Sequence, residues 1–231
     1  MEINIYQGYD HRLAHAHVNV IIDVIRAFTV AHQAFLHGAR KIILTGTVEE
    51  AFRLKAENPE YLLAGEIKGL QIPGFDLDNS PKRVADFELN ERVIVQKTTN
   101  GVKAALNSLD AEDVIVTGFS NARATAEYIR KKYSHSRKGF TVNIVASHPT
   151  GDDDLACAEY IKGFIHGTSS ATASETADRI LKCEAAGKFF DEAQPEFDPR
   201  DIFYCIKEID SGFVMKVYSE GATPEIRKVY V

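Results

Sequence analysis

Residues 20–51 read VIIDVIRAFTVAHQAFLHGARKIILTGTVEEA and are the stretch that decides the fold class. The stretch begins with the end of an apolar, β-branched run, which is typical of a buried strand. Helical spacing follows, and Gly38 is a suitable C-terminal stop for that helix. A second strand is predicted from Lys41, and Thr47 caps the next helix with Glu50 at its third position. Strands that alternate with helices predict α/β layers around a largely parallel sheet.

The same alternation continues along the chain and predicts one domain over 1–231. Strands are predicted at 18–23, 41–46, 92–97, 113–118 and 140–147, and helices at 31–39, 47–57, 101–109, 121–133, 154–165 and 174–190. We therefore expect a three-layer α/β/α fold with a largely parallel or mixed sheet.

An internal βαβ duplication is a further hypothesis. Residues 20–51 can be laid over 93–124, and the Thr-Gly pairs at 45–46 and 117–118 then fall in register after a one-residue gap. Two similar halves, about 1–85 and 86–231, would follow from a duplication, although any two βαβ units resemble one another.

Composition excludes several classes of protein. The chain has 231 residues, of which 45% are hydrophobic, and 33 acidic against 27 basic side chains give a net charge of -6. The basic run Arg130 to Lys132 is too short for a nucleic-acid surface. Neither a signal peptide nor an apolar run of the roughly 20 residues that span a bilayer is present. The three cysteines are scattered, which favours a reducing cytoplasm over a disulfide scaffold.

Polar segments follow the predicted strands, where ligands of open α/β sheets bind. They read DVIRAFT, GEIKGLQIPGFDLDNSP, TTNG, GFSN and SHPTGDDD. Asp23 ends a strand and could hold a divalent metal ion, and Arg26 offers a planar fork for phosphate or sulfonate oxygens. Thr98, Thr99 and Asn100 form a possible oxyanion cradle before a helix, although such residues also serve as ordinary caps.

The long segment from Gly65 to Pro81 carries more functional groups than a surface turn needs. Glu66, Asp76 and Asp78 supply oxygen ligands or a base, and Asn79 and Ser80 can donate to an anion. Its glycines permit close backbone approach. The alternative is a mobile lid, which Ile72 and Phe75 would anchor to the body of the protein.

Other clusters are weaker indications. The run Asp152 to Asp154 could bind a cation, but a solvated helix cap is the favoured interpretation. His11, His15 and His17 lack a Cys or an HExxH motif to complete a zinc site, so we interpret them as solvated or substrate-edge histidines. His148 is a secondary catalytic candidate. No P-loop, dinucleotide turn or GxSxG elbow occurs.

Taken together, IDVIRAFT, AGEIKGLQIPGFDLDNSP, TTNG, GFSNA and DDLACA resemble the magnesium-dependent 2-phosphosulfolactate phosphatases, in the family's order and at similar spacing. The resemblance implies hydrolysis of (R)-2-phospho-3-sulfolactate to 3-sulfolactate and phosphate. It also implies an α/β/α fold, a Mg²⁺ requirement and a small anionic phosphoester substrate. The family's motif residues fall on Asp23, Arg26, Glu66, Asp76, Asn79, Ser80, Thr98, Thr99, Asn100, Gly101, Asp153 and Asp154.

From this resemblance we expect catalytic roles for Asp23, Arg26 and Glu66, and a Mg²⁺ ion held by some of Asp23, Glu66, Asp76 and Asp154. The substrate would be bound by Arg26, Lys68, Asn79, Ser80, Thr98, Thr99 and Asn100. Attack by a water molecule and a covalent route through Asp23 are both open.

The sequence also departs from the family pattern. Ile67 stands where many relatives carry Arg, with Lys68 as a substitute cation, and Asp78, Val102 and Glu159 replace Gly, Thr and Gly. The changes at Ile67 and Asp78 leave open a phosphatase for another small 2-phospho-carboxylic acid. A non-catalytic anion-binding homologue is a further alternative. The pathway (coenzyme M biosynthesis or sulfolactate accumulation) and a homo-oligomer also stay open, with residues 212–218 as an edge strand or interface.

Overall fold

The computed structural model describes residues 1–133, 139–168 and 171–231. Ten strands occur in these ranges: β1 Glu2–Gln7, β2 Ala16–Ile22, β3 Lys41–Leu44, β4 Leu62–Ile67, β5 Leu70–Gln71, β6 Val93–Lys97, β7 Ala111–Thr117, β8 Thr141–Ala146, β9 Phe213–Tyr218 and β10 Glu225–Tyr230. The α-helices are α1 Ala27–Leu36, α2 Val48–Glu57, α3 Pro81–Ala85, α4 Gly101–Leu106, α5 Ala122–Lys132, α6 Asp152–His166, α7 Ala173–Leu181, α8 Glu184–Gly187 and α9 Arg200–Cys205.

The strands form one mixed sheet in the order β1-β8-β2-β7-β9-β10-β3-β6-β4-β5. Strands β1, β8, β2 and β7 make one parallel block, and β3, β6 and β4 make another. The pairings β7–β9, β9–β10 and β10–β3 between the blocks are all antiparallel. The two blocks therefore run in opposite directions.

Sheet twist explains how strands of opposite direction can serve one site. Six pairings separate β2 from β4 in the sheet. A twist of about 20–25° per pairing accumulates to roughly 120–150°, which turns the carboxyl ends of the two blocks toward each other. Residues that follow β2, β4 and β6 consequently line the same cavity.

The helices cover both faces of the sheet and complete three layers. One core contains Ile21 of β2, Leu44 of β3 and Ile94 of β6, packed with α1, α3 and α4. On the other face, α5 and α6 pack on the first block, and α2 packs on the second. The predicted three-layer α/β/α class with a mixed sheet is confirmed.

The path β2-α1-β3-α2-β4 and the path β6-α4-β7-α5-β8 exchange positions about the central β9–β10 pair. Each path begins in one parallel block, crosses to the other and ends there. A duplicated unit would give this arrangement, and the duplication itself stays a prediction.

The structure corrects the sequence predictions at four elements. Strands β1 and β10 were not foreseen, and β9 lies inside the sheet between β7 and β10, so residues 212–218 are not an edge strand. The helix predicted at 174–190 is divided, because Cys183 adopts an extended conformation. The break lets Cys183, Ala186 and Phe189 bury themselves against Phe197 and Ile202.

No helix in the described part of the chain is both long and apolar enough to cross a membrane.

Candidate active site

A cavity of about 710 Å³ opens where the segments after β2, β4, β6 and β8 meet residues 184–188. Seven of the predicted site residues line it: Asp23, Arg26, Glu66, Lys68, Asn79, Thr99 and Asn100. His148 also lines the cavity. Of the five polar segments, only GFSN does not reach it, because Ser120 bonds to His32 and Asn121 accepts from Thr117.

Asp23 is the first residue after β2 and its carboxylate is 7% exposed. Its Oδ1 accepts the backbone N–H of Ala27 over 2.9 Å. A side chain at Gly101 would place its Cβ 2.5 Å from Asp23 Oδ2, so the glycine of TTNG lets α4 begin against this carboxylate. Burial raises the pKa of Asp23 to about 6. The negative charges of Asp153 and Glu66 add to this shift, whereas the backbone bonds from Ala27 and Gly101 oppose it.

Arg26 points its guanidinium into the cavity wall, and its peptide bond to Ile25 is cis. Nη1 donates to Asp201 over 2.7 Å, and Nη2 donates to the carbonyl of Gly69 over 3.0 Å. The group also lies 4.9 Å from the ring centre of Phe189. Arg26 is therefore fixed in position before any ligand binds.

Glu66 joins the segment after β4 to the turn after β6. Its Oε1 accepts from the N–H of Thr99 over 2.5 Å, and its Oε2 accepts from the Thr99 hydroxyl and from Gly69 N–H. Gly65 precedes it at φ +149, where an added Cβ would lie 1.9 Å from the carbonyl oxygen of Lys97. The contacts of Glu66 indicate that it organises the loops of the cavity.

Two amide side chains at the cavity are free to meet a ligand. Asn79 is 4% exposed, and its Oδ1 has no hydrogen-bond partner among the residues that the structure describes. Asn100 precedes α4 without making a side-chain cap bond. Thr98 lies outside the lining, because its hydroxyl accepts from Val102 N–H and caps α4.

The three consecutive aspartates have different surroundings. Asp152 pairs with Arg179 at the surface, as expected for a solvated cap, and it also lines the cavity. Asp154 accepts from Val24 N–H over 2.7 Å and from Ser147 and His148, so it braces the end of β2. Burial raises the pKa of Asp154.

Asp153 has a buried carboxylate with spare bonding capacity. Its Oδ2 accepts from Ile25 N–H, whereas its Oδ1 has no partner. Burial raises the pKa of Asp153 to about 6. An unsatisfied buried carboxylate oxygen requires a reason, and a cation would provide one.

Four predicted site residues do not line the cavity: Thr98 and Asp154, described above, and Asp76 and Ser80. Asp76 Oδ2 accepts from Leu63 N–H over 2.8 Å and faces Lys55, so it fastens its loop to β4. The Ser80 hydroxyl caps α3 and donates to Asp201 over 2.6 Å. The side chains of Asp76 and Ser80 form hydrogen bonds within the protein. A sequence motif shows only the residue type, so it cannot distinguish this structural role from ligand binding.

Sequence reasoning missed Lys188 and Asp201. Lys188 lines the cavity and lies after the break in the helix that was predicted at 174–190. Asp201 is fully buried and bonds to both Arg26 and Ser80. Asp201 opens a short helix in the sequence, and nothing local marks it as a partner of distant residues.

The donor chemistry fits a sparsely ligated Mg²⁺ ion. Mg²⁺ prefers oxygen ligands and commonly takes one or two carboxylates, with substrate and water completing its shell. Asp23 lines the cavity, and the partnerless oxygens of Asn79 and Asp153 are of the required type. Within the described residues, no three His, Cys, Asp or Glu side chains form a metal-binding group, and this holds for the histidines at 11, 15 and 17 too.

A family model described as 2-phosphosulpholactate phosphatase matches residues 4–216. The chain belongs to this family. A "Probable 2-phosphosulfolactate phosphatase" of Bacillus subtilis (strain 168) is 54% identical over 231 residues, which is 100% of both chains.

Two further relatives with the same printed name share shorter stretches. One from Clostridium perfringens (strain SM101 / Type A) is 36% identical over 148 residues, 62% of this chain and 59% of the relative. One from Deinococcus radiodurans is 42% identical over 112 residues, 48% of this chain and 47% of the relative. The resemblance to 2-phosphosulfolactate phosphatases seen in the sequence motifs is thus confirmed.

Proposed function

We propose that the protein is a Mg²⁺-dependent phosphatase that hydrolyses (R)-2-phospho-3-sulfolactate to 3-sulfolactate and phosphate. Membership of the 2-phosphosulfolactate phosphatase family supports the reaction, as does the full-length relative's printed name. The observation that carries the proposal is a cavity that combines a buried carboxylate, Asp23, with the cations Arg26, Lys68 and Lys188. A metal-assisted hydrolase for an anion needs this combination.

In the proposed site, Asp23 would hold the Mg²⁺ ion, and Asp153 Oδ1 and Asn79 Oδ1 would be further oxygen donors. Bound Mg²⁺ would neutralise phosphate oxygens and lower the pKa of water. Asn100 donates to the phosphoryl group, and Arg26 supplies fixed positive charge as negative charge develops on it. Glu66 acts indirectly by holding the turn at Thr99 in place.

Nucleophilic attack by Asp23 is the competing route. Its carboxylate is positioned by Ala27 N–H, as either a ligand or a nucleophile would be. Acid quench of a single turnover with ³²P-labelled substrate separates the two routes. We expect no phosphate on Asp23, and a labelled protein that Asp23→Asn abolishes would establish the covalent route.

The two departures that suggested another substrate lie outside the cavity. Ile67 is 45% exposed, and Asp78 accepts from Ser80 N–H and pairs with Arg83. Neither residue is among those that line the cavity. Their positions favour the family substrate over another phospho-carboxylic acid.

Phosphate release from 2-phosphosulfolactate, measured with and without Mg²⁺, tests the proposal. Phosphoglycolate, 2-phospholactate and 2-phosphoglycerate serve as comparison substrates. We expect metal-dependent release that is fastest with 2-phosphosulfolactate. A preference for a carboxylate analogue would overturn the substrate, and no release from any of them would favour the non-catalytic, anion-binding homologue.

Cytoplasmic location, a homo-oligomeric state and a role in coenzyme M biosynthesis stay predictions.

A further inference from the structure

Lys188 belongs to the lining of the proposed active site but lies outside all the family motifs in the sequence. It follows α8 in the C-terminal part of the chain and lines the cavity. Its Nζ lies 4.6 Å from the ring centre of Phe197 and 5.5 Å from that of Phe189. A Cβ atom added to Gly69 would lie 3.6 Å from Lys188 Nζ. Lys188 is therefore next to the turn at Gly69, whose carbonyl oxygen accepts a hydrogen bond from Arg26.

The ammonium group of Lys188 has no anionic partner within the described residues. No carboxylate there lies within 4.0 Å of it, and the hydrogen bonds of the structure do not include it. Burial and the nearby charge of Arg26 lower the pKa of Lys188. The negative charges of Glu66, Asp153 and Asp23 act against this shift, but none of these carboxylates forms an ion pair with the ammonium group.

Arg26 differs from Lys188 in already having a partner. Arg26 forms a 2.7 Å ion pair with Asp201, in which both side chains are at most 5% exposed. Lys68 is exposed at the rim of the cavity. Lys188 is therefore the half-buried cation of the cavity whose charge is left for a ligand.

The chemistry of a sulfonate suits this position. A sulfonate spreads one charge over three oxygens and is a weak hydrogen-bond acceptor, so a compact ammonium suits it as well as a fork does. Phosphate and carboxylate groups gain more from amide donors, which Asn79 and Asn100 provide in the lining of the same cavity.

We propose that Lys188 is a specificity-determining residue that binds the sulfonate of the substrate. This inference rests on the proposed function, because it assigns one group of the proposed substrate to one side chain.

The test compares the wild type with Lys188→Met on two substrates, 2-phosphosulfolactate and 2-phospholactate, which lacks only the sulfonate. Loss of a charged contact should raise KM for 2-phosphosulfolactate roughly tenfold or more, with kcat changed by less than about threefold. The kinetics with 2-phospholactate should not change. Lys188→Arg should keep most of the affinity, and Lys182→Met, an exposed lysine of the same segment that does not line the cavity, is the matched control.

Calorimetry with 3-sulfolactate and with lactate gives a readout that does not need turnover. Lys188→Met should weaken 3-sulfolactate binding roughly tenfold and leave lactate unaffected. Equal losses with both substrates would assign Lys188 to the phosphate or carboxylate and overturn the inference, as would unchanged 3-sulfolactate affinity. A wild type that binds 3-sulfolactate through Lys188 yet releases no phosphate would instead contradict the proposed function alone.

Discussion

At the scale of single residues, the site depends on which oxygen atoms are already occupied. Both oxygens of Glu66 and of Asp154 accept hydrogen bonds from the protein. Asp23 lines the cavity, and Asp153 Oδ1 and Asn79 Oδ1 have no partner. Acidic residues that the sequence alone does not distinguish thus differ in how many oxygen atoms they have available for a metal ion or substrate.

Replacing Asp23 by Asn is expected to lower kcat at least about 100-fold, because it removes the charge that either proposed route requires. Steady-state phosphate release measures the effect, and circular dichroism checks that the fold persists. Asp76→Asn is the matched control, since Asp76 bonds to Leu63 and Lys55 away from the cavity. It should change kcat by less than about threefold; the reverse order of effects would show that Asp76 and not Asp23 carries the chemistry.

At the scale of elements, helix α9 holds two loops of the proposed active site in place through one carboxylate, that of Asp201. Asp201 bonds to Arg26 after β2, and to Ser80 and Lys82 N–H at the start of α3. Because all three partners come from segments far away in sequence, α9 contributes to site geometry without lining the cavity.

Asp201→Ala should lower the free energy of unfolding by about 3–5 kcal/mol, because it leaves Arg26 buried without its counter-charge. Urea denaturation at neutral pH measures this. Asp198→Ala, which removes a partly exposed ion pair with Arg200 and the bond from Arg200 N–H, should cost only about 1–2 kcal/mol. Similar losses in the two variants would show that the buried pair has no special role.

At the scale of the whole molecule, the buried carboxylate of Asp23 lowers the stability of the folded protein as the pH rises. Burial, with the negative charges of Asp153 and Glu66, raises the pKa of Asp23 from 3.8 to about 6. Between these values the folded protein binds more protons than the unfolded chain, so the contribution of Asp23 to stability is lost as pH rises. His32 acts oppositely over part of this range, because burial lowers its pKa to about 4.

Comparison with Asp23→Asn isolates the aspartate from His32. Without Mg²⁺, the variant should gain stability relative to the wild type by about 1 kcal/mol between about pH 5 and about pH 7. Urea denaturation at the two pH values measures the difference. Mg²⁺ should then stabilise the wild type more than the variant near neutral pH. A stability difference that does not change with pH would contradict the raised pKa of Asp23.

The elements were predictable where local signals agree. Thr47 caps α2 through Glu50 N–H as its sequence pattern indicates, and β2 and β8 coincide closely with the predicted apolar runs. Prediction failed at 174–190, where the burial of Phe189 and Cys183 in a satellite core outweighs helical spacing. It also missed β10, whose strand conformation depends on pairing with β9 and β3.

The sequence by itself determined the α/β class, the family and seven residues that line the cavity, because apolar periodicity and motif spacing are local properties of the chain. The tertiary structure decided which carboxylates remain available, and it added Lys188 and Asp201 to the site. It also placed two parallel blocks of opposite direction in one twisted sheet. These features depend on contacts between residues distant in sequence, such as Arg26 with Asp201, and hydrogen-bond occupancy and burial exist only once those contacts form.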